Sequence, residues 1–235
     1  MSSEYIQLYL TAEHECSYLP DRLASNIVPD PNLSMTMFIY NQLIRLGYRR
    51  SGDYIYRPHC TGCEECRPCR IPVAQFTPRK IQQRCLKRNQ DLTLAMVPAH
   101  YSEEYFELYR HYLNTRHADG GMANPEPDDF KQFLFCSWSN THFLEVRKDD
   151  RLLAVAVTDV TPAGLSAVYT FFDPNESKRS LGRFCILQQI EKAREMQLGY
   201  LYMGYWIRDC NKMSYKLEYQ PMELLIDDLW QLTRP

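Results

Sequence analysis

The segment SLGRFCILQQIEKAREMQ, residues 180–197, constrains the fold more than any other. Its apolar residues Ile186, Leu187, Ile190 and Ala193 recur at helical spacing, so one face must be buried, and Ser180 stands where an N-cap is wanted. Its flanks limit what can do the burying. Upstream, HFLEVRKDD, RLLAVAVTDV and LSAVYTFFD read as three strands, the first two joined by a polar turn from Lys148 to Arg151. Downstream, YLYMGYWI reads as a buried strand, Lys212 to Tyr219 as a short helix and MELLID as a last strand.

Three strands, a long helix, a strand, a helix and a strand make an α+β order, the one found in N-acetyltransferase-like (GNAT-like) folds. The expectation is therefore a GNAT-like domain over residues 99–235. Within it Ser102 caps a helix that has Glu103 and Glu104 in its first turn, and Asp128 and Asp129 open another. The first third is different, rich in Pro and Cys and poor in long periodic segments. Leu33 to Leu46 has roughly helical spacing with Gly47 as C-cap, YIYRP reads as a strand, Thr77 and Pro78 open a helix to Lys87 or Arg88, and LTLAMV reads as a strand. A boundary near residue 98 divides a smaller cysteine-containing domain, 1–98, from the larger one. No internal repeat or low-complexity tract interrupts this organisation.

A chain of 235 residues can bury a sizeable core. No apolar run of 18 or more residues exists, and MSSEYIQLYLTAEHEC carries acids where an export signal needs a basic and then an apolar stretch, so a cytoplasmic protein without a membrane partner is expected. The nine cysteines are odd in number, and Cys60, Cys63, Cys66 and Cys69 sit at intervals of three in HCTGCEECRPC. Reduced thiols or a metal fit that pattern better than a disulfide framework. Cys60, Cys63 and Cys66, with Cys16 as a distant ligand, are the candidates for zinc or an iron–sulfur cluster; spacing does not choose between them. The plain alternative is buried free thiols.

The formal net charge of −2 predicts no polyanion partner, yet Arg67 to Gln90 holds seven basic residues and no acid. On the expected helix Lys80, Arg84 and Lys87 or Arg88 share one stripe, and together with Arg79 they form a candidate phosphate-backbone surface. The alternative is a solvated helix face. RSLGRF brings Gly182 to a helix start, as an acyl-coenzyme A pyrophosphate loop does, but one glycine is a thin pattern and an ordinary helix start explains it equally well.

Several stretches then read together: CSYLP, YRPHC with its cysteines and RIPV, FTPRK leading to LKRNQDL, RHADGGMANP, AVYTFFDP, RSLGRF, and YMGYWIRDCNKMSYKLEYQPMELL. As an ordered set, from Cys16 to about Leu225, they resemble the arginyltransferase-like aminoacyl-tRNA protein transferases, in particular the short bacterial leucyltransferases acting on N-terminal Asp or Glu. The resemblance implies a C-terminal GNAT-like domain, a cysteine-bearing N-terminal domain, and ribosome-independent transfer from leucyl-tRNA onto acceptor proteins of an N-end rule degradation pathway. No cofactor is needed by that reaction. Leu19 departs from the arginyltransferase pattern, standing where a second cysteine would follow Cys16, and the choice of a leucyl over an arginyl donor rests on the resemblance alone.

In that reaction the acceptor's α-amine attacks the aminoacyl ester, so the site must hold an acidic side chain, manage a proton and stabilise an oxyanion. Arg70, Arg79, Arg116, Lys212 and Lys216 are the candidates for the acceptor carboxylate. Tyr169, Asp173 and Tyr215 are the candidates for proton handling and orientation, with His117 as a further contact able to accept a proton. Each has a structural alternative: surface charge for the cations, a turn role for Asp173 before Pro174, a hydrogen-bonded structural role for His117. A coenzyme A dependent N-acyltransferase and a zinc-containing RNA-binding module are the rivals. The second leaves RHADGGM and GYWIRDCNKMSYK unexplained.

Overall fold

The computed structural model describes residues 5–116 and 123–233. Short strands come first: β1 (Leu8–Leu10), β2 (His14–Glu15), β3 (Leu23–Ala24) and β4 (Asn26–Pro29). Helix α1 (Met37–Arg45) starts later than its spacing implies, because Thr36 caps it, its hydroxyl accepting from the Ile39 N–H at 3.3 Å. Gly47, at φ 85°, then turns the chain into β5 (Arg49–Ser51). A Cβ there would lie 2.6 Å from the Pro68 ring, so the tight turn and the close packing both require glycine. β6 (Tyr54–Pro58), the expected YIYRP strand, returns antiparallel to β5, and the order of this sheet is β1-β4-β6-β5. β2 and β3 pair separately.

The rest of the chain supplies β7 (Arg67–Pro72), α2 (Lys80–Arg88), β8 (Thr93–Pro98), α3 (Glu103–Arg116), α4 (Pro127–Leu134), β9 (Thr141–Lys148), β10 (Arg151–Thr161), β11 (Gly164–Phe172), α5 (Leu181–Glu195), β12 (Tyr200–Trp206), β13 (Glu223–Ile226) and β14 (Leu229–Leu232). The strands build one eight-stranded sheet of order β14-β13-β7-β12-β11-β10-β9-β8. The fold is α+β. β7 runs between β12 and β13, and β8 lies on the edge beside β9, so this sheet draws two of its strands from residues 67–98.

Alternation along the strands assigns the two faces. Ala154, Ala156, Leu201 and Met203 pack with Phe184, Leu187, Ile190 and Ala193 of α5, whose buried stripe is the one its spacing requires. Their neighbours Val155 and Val157 pack with Tyr109 and Leu113 of α3 and Phe130 of α4, while Tyr202 meets Tyr40, Leu43 and Ile44 of α1. The sheet is thus the middle of three layers. Among the described residues, no helix is long and apolar enough to cross a membrane.

Several local expectations are corrected. α2 begins at Lys80 rather than behind Thr77 and Pro78; its first turn is closed by the Gln82 side-chain oxygen, which accepts from the Arg79 N–H at 2.8 Å. Ser180 does stand at the head of α5, but in a left-handed conformation (φ 54°) and with no side-chain cap bond. Its carbonyl takes the Phe184 N–H at 3.0 Å instead, a backbone service that does not need serine. β13 is not the last strand, because Asp227 and Asp228 (φ 51° and 58°) reverse the chain into β14.

Candidate functional site

β11 and β12 are parallel neighbours over three registered pairs only: Gly164 with Tyr200, Leu165 with Leu201 and Ser166 with Tyr202. Beyond them β11 continues to Phe172 paired with β10, and β12 to Trp206 paired with β7, but the two are no longer paired with each other, so the sheet forks between them. Register shifts flank the fork, between Val157 and Thr158 opposite β11 and between Tyr202 and Gly204 in β12. Such shifts bend and re-aim a strand. The fork opens toward the carboxyl ends of two parallel strands, the end of such a sheet at which ligands are commonly bound.

Two cations stand at the fork. Arg49, from β5, donates to the Ser166 hydroxyl at 2.9 Å and to the Ala167 carbonyl. Lys216, from the 3₁₀ helix Asn211–Glu218, donates its ammonium to the Tyr205 carbonyl. A Cβ at Gly204 would lie 3.5 Å from Arg49 Nε and 3.7 Å from Lys216 Nζ, so both cations converge on that glycine. Only 8% of Arg49 and 5% of Lys216 are exposed, and among the described residues neither is ion-paired. Burial pulls the Lys216 ammonium below the ordinary lysine range; Cys69 opposes the shift and Arg49 adds to it.

Buried charge of one sign is expensive, and the scaffold that holds it is correspondingly firm. Next to Arg49, Arg50 grips the fully buried Asp159 through Nε and Nη2, both at 2.7 Å. Thr141 adds a bond at 2.8 Å, and the Tyr40 hydroxyl donates to Asp159 at 3.1 Å and lies 3.5 Å from the Ser166 hydroxyl. Because Asp159 and Ser166 are register partners, β5 is fastened across β10 and β11, with Arg49 directed at the fork. In the sequence, Arg49 is one of two arginines after a glycine turn and carries no signal that separates it from surface charge.

The residues singled out from sequence scatter. Lys216 reaches the fork, and Tyr215 lies beside it, 41% exposed, its ring centroid 5.9 Å from the Lys216 ammonium. Tyr169 packs against Tyr109, Tyr112 and Phe133, and burial, reinforced by Tyr112 and Tyr109, raises its phenol well above the usual range. Asp173 faces the turn it opens, accepting from the Asn175 N–H at 2.9 Å, with Arg151 at 3.4 Å and His111 at 3.8 Å. Arg70 serves the scaffold, pairing with Glu223 at 2.6 Å and lying 3.6 Å over the Tyr200 ring and 4.1 Å from the Trp230 ring centroid, so that it clasps β7, β12, β13 and β14. Arg116 and Lys212 are exposed, and His117 lies outside the described residues.

At the N-cap and along α2, Arg79, Lys80, Arg84, Lys87 and Arg88 are exposed, and among the described residues none of them is ion-paired, though Arg88 donates to the Lys178 carbonyl. The stripe therefore exists as a solvent-facing row of charge. Gly182 has a packing reason: a Cβ there would press to 3.2 Å on the Phe172 ring.

Cys16, Cys60, Cys63 and Cys66 share the wall of one cavity of about 170 Å³ with Tyr18, Tyr56 and Tyr205. Among the described residues no three His, Cys, Asp or Glu side chains are placed to hold an ion. Cys60 donates to the Ser25 carbonyl, the Arg22 guanidinium points at the Cys63 sulfur from 3.3 Å, and burial with the neighbouring thiols pushes the Cys66 thiol up to about 12. The expectation of zinc or an iron–sulfur cluster, drawn from spacing, therefore finds no support in this geometry.

Residues 14–84 match the family described as Arginine-tRNA-protein transferase, N terminus, and residues 104–226 its C terminus. The chain belongs to the arginine-tRNA-protein transferase family. Within that family it is 52% identical over 225 residues to an aspartate/glutamate leucyltransferase of Pseudomonas fluorescens, covering 96% of each chain. A protein of the same name from Hahella chejuensis is 50% identical over 222 residues, 94% of this chain and 95% of that one. Among solved structures, the C-terminal DUF2156 domain of an Agrobacterium fabrum protein matches with a TM-score of 0.49 at 15% identity, and L-PGS from Bacillus licheniformis with 0.45 at 13%. Each match covers 74% of this chain but only 53% and 50% of the other. As a member of this transferase family, the protein is an aminoacyltransferase, and the fork between β11 and β12 is its candidate centre.

Proposed function

We propose that the protein transfers leucine from leucyl-tRNA to the α-amine of polypeptides beginning with Asp or Glu, in a GNAT-like cleft between β11 and β12. The observation that carries the reading is the fork itself, with two buried cations at its base, in a chain about half identical to curated leucyltransferases over nearly its whole length. The acceptor nitrogen attacks the ester carbonyl carbon, the tetrahedral oxyanion collapses, the bond to the tRNA 3′ oxygen breaks, and the amine proton passes to that leaving oxygen or to water. An ester becomes an amide, so the exchange runs downhill without a redox or nucleotide cofactor. The oxyanion needs donors at the point of attack, and the Arg49 and Lys216 cations lie at this fork. Tyr215 at the rim suits orientation of the reacting groups, whereas Tyr169, held as a neutral phenol, suits donation of a hydrogen bond and not base catalysis. Asp173 fits the capping role better than a proton-transfer role.

Arg79, Lys80, Arg84 and Lys87 offer the tRNA backbone a row of exposed cations, with Arg116 and Lys212 as further exposed charges. The reaction belongs where charged tRNA is found, in the cytoplasm, and its product belongs to protein degradation through the N-end rule. Mixing the purified chain with radiolabelled leucyl-tRNA and a peptide beginning with Asp should yield leucylated peptide. Arginyl-tRNA in a parallel reaction decides the donor, and no labelled peptide from any charged tRNA refutes the reading.

A further inference from the structure

Resting on that reading, we infer that Arg49 and Lys216 seat the side-chain carboxylate of the acceptor's first residue over Gly204, making Arg49 a specificity-determining residue. Four observations converge. Both cations are buried, neither is ion-paired among the described residues, and they approach one point from different elements, β5 and the 3₁₀ helix after β12. That arrangement is unfavourable until an anion arrives, which is what a binding seat for a carboxylate requires and what a structural cation pair would avoid. Gly204, at φ 80°, places no side chain between the two cations.

Arg49 is also pre-positioned. Its bonds to Ser166 and Ala167 and the adjacent Arg50–Asp159 clamp fix the guanidinium before any ligand binds, which lowers the ordering cost of recognition. Part of its donor set remains: each of those bonds uses one guanidinium N–H of the five that arginine carries, and the bond to Tyr205 uses one of the three on an ammonium. The other cations considered for the acceptor carboxylate are less suited. Arg70 already holds a carboxylate, that of Glu223, and Arg79, Arg116 and Lys212 face solvent, where a lone charge pair contributes little.

The chemistry of the seat dictates its selectivity. Asn and Gln have nearly the shapes of Asp and Glu, so only charge and hydrogen-bond polarity can separate them. Cations donate and never accept, so a carboxylate satisfies them with both oxygens, while an amide sets its NH₂ against a donor. Loss of a desolvated charge pair corresponds to roughly 30-fold or more in kcat/KM.

The test compares peptides beginning with Asp, Asn, Glu and Gln, each with leucyl-tRNA, on the wild type and on Arg49→Met, Arg49→Lys and Lys216→Met, with circular dichroism as the check of folding. The wild type should favour Asp over Asn by about 30-fold or more. Arg49→Met and Lys216→Met should bring the ratio toward one, chiefly through the KM of the acidic peptide, and Arg49→Lys should restore part of it. Should Arg49→Met not fold, Lys216→Met and Arg49→Lys read the same ratio. An unchanged ratio in the folded variants, or a wild type that does not distinguish Asp from Asn, overturns the assignment while leucyl transfer itself stands. A wild type that leucylates no peptide overturns the underlying reading instead.

Discussion

Replacing Arg50 by methionine tests whether the fork depends on the clamp behind it. Arg50 and Asp159 are both fully buried, and the variant deletes the two charge-assisted bonds, each 2.7 Å long, that Asp159 receives from the guanidinium. Thr141 and Tyr40 would remain as donors at 2.8 and 3.1 Å, which is too little for a carboxylate removed from water. Breaking a buried pair from one side costs about 3–5 kcal/mol. In a domain of this length each kcal/mol lowers the melting temperature by roughly 2–4 °C, so a drop of about 6–20 °C is expected, with a matching shift in urea midpoint. Asp159→Leu placed on top of Arg50→Met should recover a large part of the loss, because the orphaned charge is then gone. Tryptophan fluorescence during urea unfolding reads both variants. A loss below about 1 kcal/mol in the single variant, or a double variant no better than the single, would show that the clamp does not carry the stability assigned to it.

Charge reversal on α2, Lys80→Glu with Arg84→Glu, should weaken leucyl-tRNA binding and flatten its dependence on salt, since each lost phosphate contact removes about 0.7–0.9 from the log–log slope. Filter binding across a salt series measures it, and identical affinity and slope would leave the stripe as a solvated helix face. Gly204→Ala should raise the KM for an Asp peptide and lower the melting temperature by about 2–8 °C, since a left-handed alanine costs roughly 1–2 kcal/mol and its methyl group intrudes on the seat. Wild-type values on both counts would refute the role given to that glycine.

Where a segment carries its own period, the sequence by itself determined the element. α5 declared its buried face through Leu187, Ile190 and Ala193, β9 to β12 declared themselves through short segments rich in apolar and β-branched residues bounded by polar turns, and Ser102 announced α3, accepting from the Tyr105 N–H at 3.3 Å. Family membership was legible for a similar reason, being spread over short motifs along almost the whole chain. β7 was not legible: RPCRIP holds two prolines and ends a cysteine run, and only the free edges of β12 and β13 make it a central strand. The four spaced cysteines looked like ligands because spacing along a chain does not say what stands next to each sulfur, here Arg22 and the Ser25 carbonyl. The cations show the limit most clearly. Arg49, Arg50 and Arg70 are alike in one dimension, yet Arg50 meets Asp159 from 109 residues away and Arg70 meets Glu223 from 153. Arg49 is brought beside Ser166 and Gly204 with no acid in reach of an ion pair among the described residues. Which buried charge keeps an acid and which is left to bind one depends on contacts between distant segments, and no local propensity encodes those, so only the tertiary structure decided the candidate site.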